Sequence, residues 1–135
     1  QPMVVALAGH EAMAHAPIVM DWPRQNFPVW VSSQCPWDQL PIAIRFDSGD
    51  PIEQADPTLG DWYTAGFDGT FGSTDRGRFH YISDPAAVGD HTVLYTVDCG
   101  RAEHLAIEDL IKRLSVLHSS QPIASLLIGR GFVPG

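Results

Sequence analysis

The chain has 135 residues, of which 44% are hydrophobic, and its 16 acidic against 8 basic residues give a formal net charge of −8. Such a length and composition predict one folded domain over residues 1–135. Because the chain has no basic run to neutralise phosphates, the sequence predicts neither nucleic-acid binding nor attachment to anionic membranes. No apolar run approaches the ~20 residues of a membrane span, and we expect a soluble, cytoplasmic protein.

The first residues give the weakest signals in the chain. The sequence starts at Gln1, and His10 and His15 are one residue too far apart for the two histidines of a zinc-binding helix. We therefore expect residues 1–15 to be a loosely attached or partly non-native segment, and we expect no metal site there.

Two strands are predicted in the next part of the chain. Residues 41–47 alternate, with Ile42, Ile44 and Phe46 on one face and smaller or polar residues on the other. Residues 27–33 follow the same period. The two strands can pair as a hairpin with a long connecting loop.

The middle of the chain is rich in turn residues. Two Asp-Pro pairs and several glycines predict an acidic surface loop over 48–61, in which the acids lack the spacing of a calcium-binding loop. Residues 62–67 and 78–83 are predicted strands, paired around the turn-rich stretch 68–77. Residues 84–90 are a predicted turn.

The stretch 91–130 carries the clearest pattern. A strand is predicted over 91–98, a long helix over about 102–119 and a further strand over 123–128. The helix is predicted from one apolar stripe at helical spacing, formed by Ile107, Leu110, Ile111, Leu114, Leu117 and His118. Pro122 ends it, because proline lacks a backbone donor. If the two strands are neighbours, the helix between them makes them parallel.

These elements together predict the α+β class. We expect a mixed, mostly antiparallel sheet of about six strands, with one long helix packed on one face and a strand-helix-strand unit at the end. A single helix covers few strands, so self-association into a homo-oligomer is a further expectation.

The junction of strand and helix holds the first candidate site. Cys99 and His104 are weak candidates for a nucleophile and its base, because a helix N-terminus and the neighbouring Arg101 lower the pKa of a thiol. Asp98 and Arg101 are candidate ligand-binding residues, and backbone N–H groups there can hold an anion. The alternative is structural, with Cys99 as a small buried residue. The other cysteine, Cys35, is far away in sequence, and we expect two free thiols, although one disulfide is possible.

Aromatic residues beside acids form the second candidate site. Carboxylates next to aromatic faces suit cationic ligands and sugars, and the residues concerned are Trp30, Trp37, Trp62 and Tyr63. The alternative is that these rings belong to the core and its rim.

No motif in the sequence fixes a reaction, and no cofactor or metal is predicted. Leu105 and Val116 lie off the apolar stripe of the helix and are candidate interface residues. The leading hypothesis is a non-enzymatic binding or interaction module that associates with itself, and that binds a small molecule or a basic protein. The alternative is a small hydrolase or transferase that uses Cys99 and His104.

Overall fold

The structure, a computed structural model, describes residues 27–32, 35–72 and 77–130 together with the backbone of 17–19. Residues 1–15, for which we predicted a loose segment, lie outside this range. Within it the strands are β1 (Pro17–Val19), β2 (Val29–Ser32), β3 (Leu40–Phe46), β4 (Tyr81–Ile82), β5 (Ala86–Gly89), β6 (Thr92–Asp98) and β7 (Ile123–Ile128). The helices are α1 (Pro51–Phe67) and α2 (Leu105–His118).

The described strands form one mixed sheet in the order β1-β2-β7-β3-β6-β4, and β5 also pairs with β6. Strands β4 and β5 follow each other along the outer edge of β6, so the sheet is six positions wide. Only β2 and β7 pair in parallel, and every other pairing is antiparallel. The α+β class and the mostly antiparallel sheet are therefore confirmed.

The strand-helix-strand unit is split by a third strand. Strands β6 and β7 both pair antiparallel with β3, which lies between them. They are thus parallel to each other, as a crossover helix requires, but they are not neighbours. The same relation holds for β3 and β4 around β6. If β4 and β5 are counted as one edge position, the chain from β3 onward is a β-α-β-β-α-β unit of ferredoxin-like topology. Strands β1 and β2 extend its sheet beside β7.

The predicted helix of the C-terminal unit is confirmed with shorter bounds. Helix α2 covers Leu105–His118 rather than 102–119. Residues 99–104 instead form a loop closed by turn hydrogen bonds, such as Ala102 N–H to the Cys99 carbonyl at 2.9 Å. The helix ends at His118, before Pro122 as predicted. Ile123 N–H then donates to His118 Nδ1 over 2.8 Å at the start of β7.

The expectation of a single helix is wrong. The predicted loop 48–61 and the predicted strand 62–67 together contain all of α1. Asp50 is its N-cap, and its Oδ1 accepts from Ile52 N–H at 2.9 Å and from Glu53 N–H at 3.3 Å. Pro51 takes the first helical turn, where its missing donor has no cost. Pro57 lies inside the helix on its exposed side.

Both hairpins that we predicted are absent from the described residues. Strand β7 lies between β2 and β3, which therefore do not pair with each other. The partner proposed for 78–83 is a helix, and that segment retains only Tyr81–Ile82 as β4. The predicted turn 84–90 contains β5 instead.

One face of the sheet carries the hydrophobic core. Alternate residues of β3 and β6 are buried, and α1 and α2 pack over them. The residues in this core include Leu40, Ile42, Ile44, Val93, Tyr95, Val97, Leu126 and Ile128 from the strands and Ala55, Leu59, Trp62, Leu110 and Leu114 from the helices. Tyr95 also donates its hydroxyl to Asp56 Oδ1 of α1 over 3.0 Å.

No described helix lies over the opposite face. The residues between the core positions of β3, β6 and β7 are partly or fully exposed there, and we call this surface the open face. It comprises Ala43, Arg45, Thr92, Leu94, Thr96, Asp98, Ser125 and Leu127. Its centre is apolar, because Ala43 is the register partner of both Leu94 and Leu127.

Two glycines of α1 give opposite predictions for the same substitution. A Cβ on Gly60 meets nothing within 4 Å, so Gly60→Ala is expected to raise the free energy of unfolding by roughly 0.5–1 kcal/mol through helix propensity. A Cβ on Gly66 lies 2.1 Å from Cδ2 of Phe79, so Gly66→Ala is expected to lower it by about 1–3 kcal/mol. Urea unfolding of both variants measures the difference. Equal effects at the two positions contradict the close approach of α1 to Phe79.

Candidate functional site

The loop between β6 and α2 holds the first sequence-predicted pair. Cys99 is completely buried, and its backbone N–H donates to the Trp37 carbonyl oxygen over 2.8 Å. His104 is exposed at the N-cap of α2, and its ring stands edge-on to Trp37 with centroids 5.3 Å apart. The His104 imidazole therefore contacts the Trp37 indole ring.

The Cys99 thiol is held in its neutral form. Burial raises its pKa to about 12, and the charges of Asp98 and Cys35 act in the same direction. This shift is opposite to the one that a helix N-terminus and Arg101 were expected to produce, because desolvation disfavours the thiolate. Both cysteines are free thiols, with Cys35 half-buried. The raised pKa counts against the nucleophile of the enzyme alternative.

Asp98, the last residue of β6, is the centre of a small polar cluster. Its Oδ1 accepts from Gly100 N–H at 2.9 Å, and its Oδ2 lies 3.6 Å from Nδ1 of His80. The second distance is too long for a strong hydrogen bond, and the Asp98 side chain is 30% exposed, so Oδ2 can still accept from a cation. Burial and the charge of Asp98 together raise the pKa of the Tyr63 hydroxyl.

Gly100 makes this cluster possible. Its backbone has φ of +54°, in the left-handed region, and a Cβ there would lie 2.2 Å from the Arg78 carbonyl oxygen and 3.0 Å from Nε2 of His80. Only glycine therefore lets the segment before β4 cross the end of β6 at this distance. Among the sequence-predicted ligand-binding residues, Asp98 and Tyr63 are linked by the effect of the Asp98 charge on the Tyr63 pKa.

The three predicted tryptophans are spread through the fold. Trp62 is buried in the core, where its Nε1 donates to the Ala106 carbonyl oxygen over 2.9 Å. Trp37 is half-buried, and its Nε1 donates to the Ala102 carbonyl oxygen over 2.8 Å. Trp30 is completely buried beside Leu127, and its Nε1 has no hydrogen-bond partner among the described residues. These contacts place Trp37 and Trp62 in structural roles.

The remaining predicted residues lie on exposed surfaces. Arg101 is exposed in the loop between β6 and α2. Leu105 and Val116 are 43% and 74% exposed on one side of α2. They are about 16 Å apart along the helix axis, and the exposed Glu108 and Lys112 lie between them. The two apolar side chains therefore do not form one continuous patch.

The sequence predicts no role for Arg45 or His80. The structure places Arg45 beside Thr92 on the open face and His80 beside Asp98. Arg45 and Asp98 are the only charged residues in the described strands, and the alternation of both strands puts them on the open face. Arg45 lies at one end of this face, beside Thr92, and Asp98 lies at the other end of the same strand β6. The sequence does contain one sign of a role for Arg45, because it is the single charged residue in the otherwise apolar strand β3.

Neither a family model, nor a curated protein, nor a solved structure matches this chain. Within the described ranges, no group of three or more His, Cys, Asp or Glu residues is arranged to hold a metal ion. Neither described helix has the length and hydropathy needed to cross a membrane.

The state of Cys99 can be tested by thiol labelling. In a Cys35→Ala variant, the remaining thiol is expected to be unreactive toward a disulfide reagent at pH 8 in the folded protein, because burial suppresses the thiolate. The same variant in urea should react fully, which is the control for the reagent. Rapid labelling of the folded variant would restore Cys99 as a candidate nucleophile.

The same thiol predicts a loss of stability at alkaline pH. Because the folded pKa is raised, the stabilisation is complete below pH 9.0, the value for an unburied thiol, and is lost as the pH rises toward about 12. We expect this thiol to lower the free energy of unfolding by about 1 kcal/mol per pH unit just above pH 9. The fall should be smaller in Cys99→Ala, where the raised pKa values of Cys35 and Tyr95 still contribute. Urea unfolding at several pH values measures it, with Cys35→Ala as the matched control. Equal slopes in all three proteins would contradict the burial of the thiol.

Proposed function

We propose that this chain is a non-enzymatic interaction module that works as a homo-oligomer. The observation that carries the proposal is the open face, a partly exposed sheet surface with an apolar centre and no described helix over it. Burying such a surface against another protein removes apolar area from water, which favours association. A second copy of the chain supplies the same surface, as a symmetric dimer requires.

The state of the candidate nucleophile supports a binding role over a catalytic one. A buried thiol with a raised pKa is a poor nucleophile at neutral pH. The recorded ring contact of His104 is with Trp37, which leaves the predicted base without an observed link to Cys99. The hydrolase or transferase alternative therefore has less support than the interaction module.

The outer surface of α2 is the second candidate for self-association. It carries Leu105 and Val116, which are both well exposed. The charged residues between them make it less apolar than the centre of the open face, where Ala43, Leu94 and Leu127 are direct register neighbours. We therefore favour the open face, and the same experiment separates the two surfaces.

The test is the mass of the protein in solution. We expect sedimentation velocity and native mass spectrometry to show a reversible dimer in the micromolar range. Leu94→Glu places a charge at the centre of the open face and is expected to give a monomer, whereas Val116→Glu, the same kind of change on α2, is expected to leave the dimer intact. Thermal melts establish that each variant is folded, and Thr96→Glu replaces Leu94→Glu if that variant does not fold.

Each outcome of this experiment assigns a surface or rejects the proposal. Loss of the dimer in Val116→Glu alone would assign self-association to α2 instead of the sheet. A wild-type protein that remains monomeric at every concentration would contradict the proposed function itself.

A further inference from the structure

The charges on the open face lie at opposite ends of it. Arg45 of β3 is the register partner of Thr92, the first residue of β6, and Asp98 is the last residue of the same strand. Six residues of strand separate these two levels, which corresponds to about 20 Å. Between them the face carries apolar residues and hydroxyl groups, with Leu94 and Ala43 near its middle. The face thus has a cationic end, an apolar centre and an anionic end.

The Arg45 guanidinium and the Asp98 carboxylate can each bind a further charged group. The Arg45 side chain is exposed, and guanidinium groups pair with carboxylates through several N–H donors. Asp98 uses Oδ1 for Gly100 N–H, while Oδ2 has only the long contact with His80. The two groups cannot pair within one chain, because about 20 Å separates their levels on the sheet.

A two-fold axis that lies between two such faces and perpendicular to their strands brings opposite ends together. In this arrangement the strands of the two copies run antiparallel across the interface, so the Arg45 level of each copy meets the Asp98 level of the other. An axis along the strands would instead place like ends together, which is unfavourable for the charges. Packed sheets are about 10 Å apart, a gap that one arginine and one aspartate side chain span together.

We infer that two copies of this chain pair through their open faces in the antiparallel arrangement, with Arg45 of each copy bound to Asp98 of the other. This inference rests on the proposed self-association and adds the surface, the orientation and the residues that fix it. Burial of the two apolar centres stabilises the dimer, and the reciprocal ion pairs favour one orientation of the two copies. The pairs also place Arg45, the only cation in the described strands, against a carboxylate.

The size of the face predicts a weak dimer. Three strands about 4.8 Å apart and about 20 Å long give a flat area of roughly 300 Å² per copy. A standard protein interface buries about 800 Å² of accessible surface per partner. We therefore expect reversible association that weakens as salt is added, since the ion pairs lie at the two ends of the face and remain near solvent.

The decisive experiment mixes two charge-reversed variants. Arg45→Glu alone places two carboxylates together at each end of the dimer, and Asp98→Lys alone places two cations together. Each variant is expected to raise the dissociation constant by about a hundredfold. A one-to-one mixture of the two should restore a dimer, because Glu at 45 then faces Lys at 98, and the unchanged Asp98 faces the unchanged Arg45. Native mass spectrometry identifies this heterodimer by its mass.

The controls separate this inference from the proposed function. Lys112→Glu on α2 changes the net charge as Arg45→Glu does and should leave the wild-type dissociation constant unchanged. A wild-type monomer would overturn both proposals. A wild-type dimer that Arg45→Glu does not weaken would overturn the reciprocal pairing and leave self-association standing.

A second set of variants covers the case in which Asp98→Lys does not fold. Asp98→Asn keeps an acceptor oxygen for Gly100 N–H, and Arg45→Gln removes the positive charge but keeps a polar side chain. If the two residues pair across the dimer, the double variant is expected to lose less affinity than the sum of the single variants predicts. Strictly additive effects on the dissociation constant would overturn the pairing.

Discussion

Trp62 holds the helical layer of this protein together. Its side chain is completely buried, its Nε1 donates to the Ala106 carbonyl oxygen of α2, and its ring lies 4.8 Å from that of Phe79. One residue of α1 thus joins α2 and the segment that leads into β4. Truncating a buried tryptophan costs about 3–5 kcal/mol, a large part of the roughly 5–15 kcal/mol by which a domain is stable. Trp37 binds the start of the α2 region in the same way, through the Ala102 carbonyl oxygen.

This arrangement commits both described helices to one side of the sheet. The core that they cover takes the alternate residues of every central strand, so the remaining residues of those strands face the other way. Small and hydroxyl-bearing residues there reduce the cost of leaving that face in water, and Leu94 and Leu127 raise it. Arg45 and Asp98 give the two ends of this face opposite charges. This charged and partly apolar face, over which no described helix lies, is the feature of the fold that most needs a functional explanation.

The sequence predicted those strands and helices in which apolar residues recur at regular spacing without interruption. Strand β3 alternates through Ile42, Ile44 and Phe46, and α2 keeps its stripe from Ile107 to Leu114, so both were found. Helix α1 was missed because its apolar residues are diluted by two prolines and two glycines. The Asp50-Pro51 pair is typical of a turn, but an acidic cap followed by proline is also how a helix begins.

The order of the strands and the geometry of the site depend on contacts that no local pattern records. Strand β7 inserts between β2 and β3, and this placement is decided by which faces can be buried together. For Cys99, position before a helix suggested a lowered pKa, whereas burial raises it, because desolvation outweighs the helix dipole at a site without solvent. His80 reaches Asp98 only because Gly100 lets two segments cross, and such a tertiary contact leaves no spacing signal in the sequence.

The split arrangement of the strands also determines when the sheet can close during synthesis. Strand β3 is translated early, yet both of its neighbours, β6 and β7, come from the second half of the chain. Until β7 leaves the ribosome, β2 has no parallel partner and β3 keeps one unpaired edge. Pairings between such distant segments are slow to form and leave strand edges open to other chains. A nascent chain therefore exposes one edge of β3 until β7 has been synthesised.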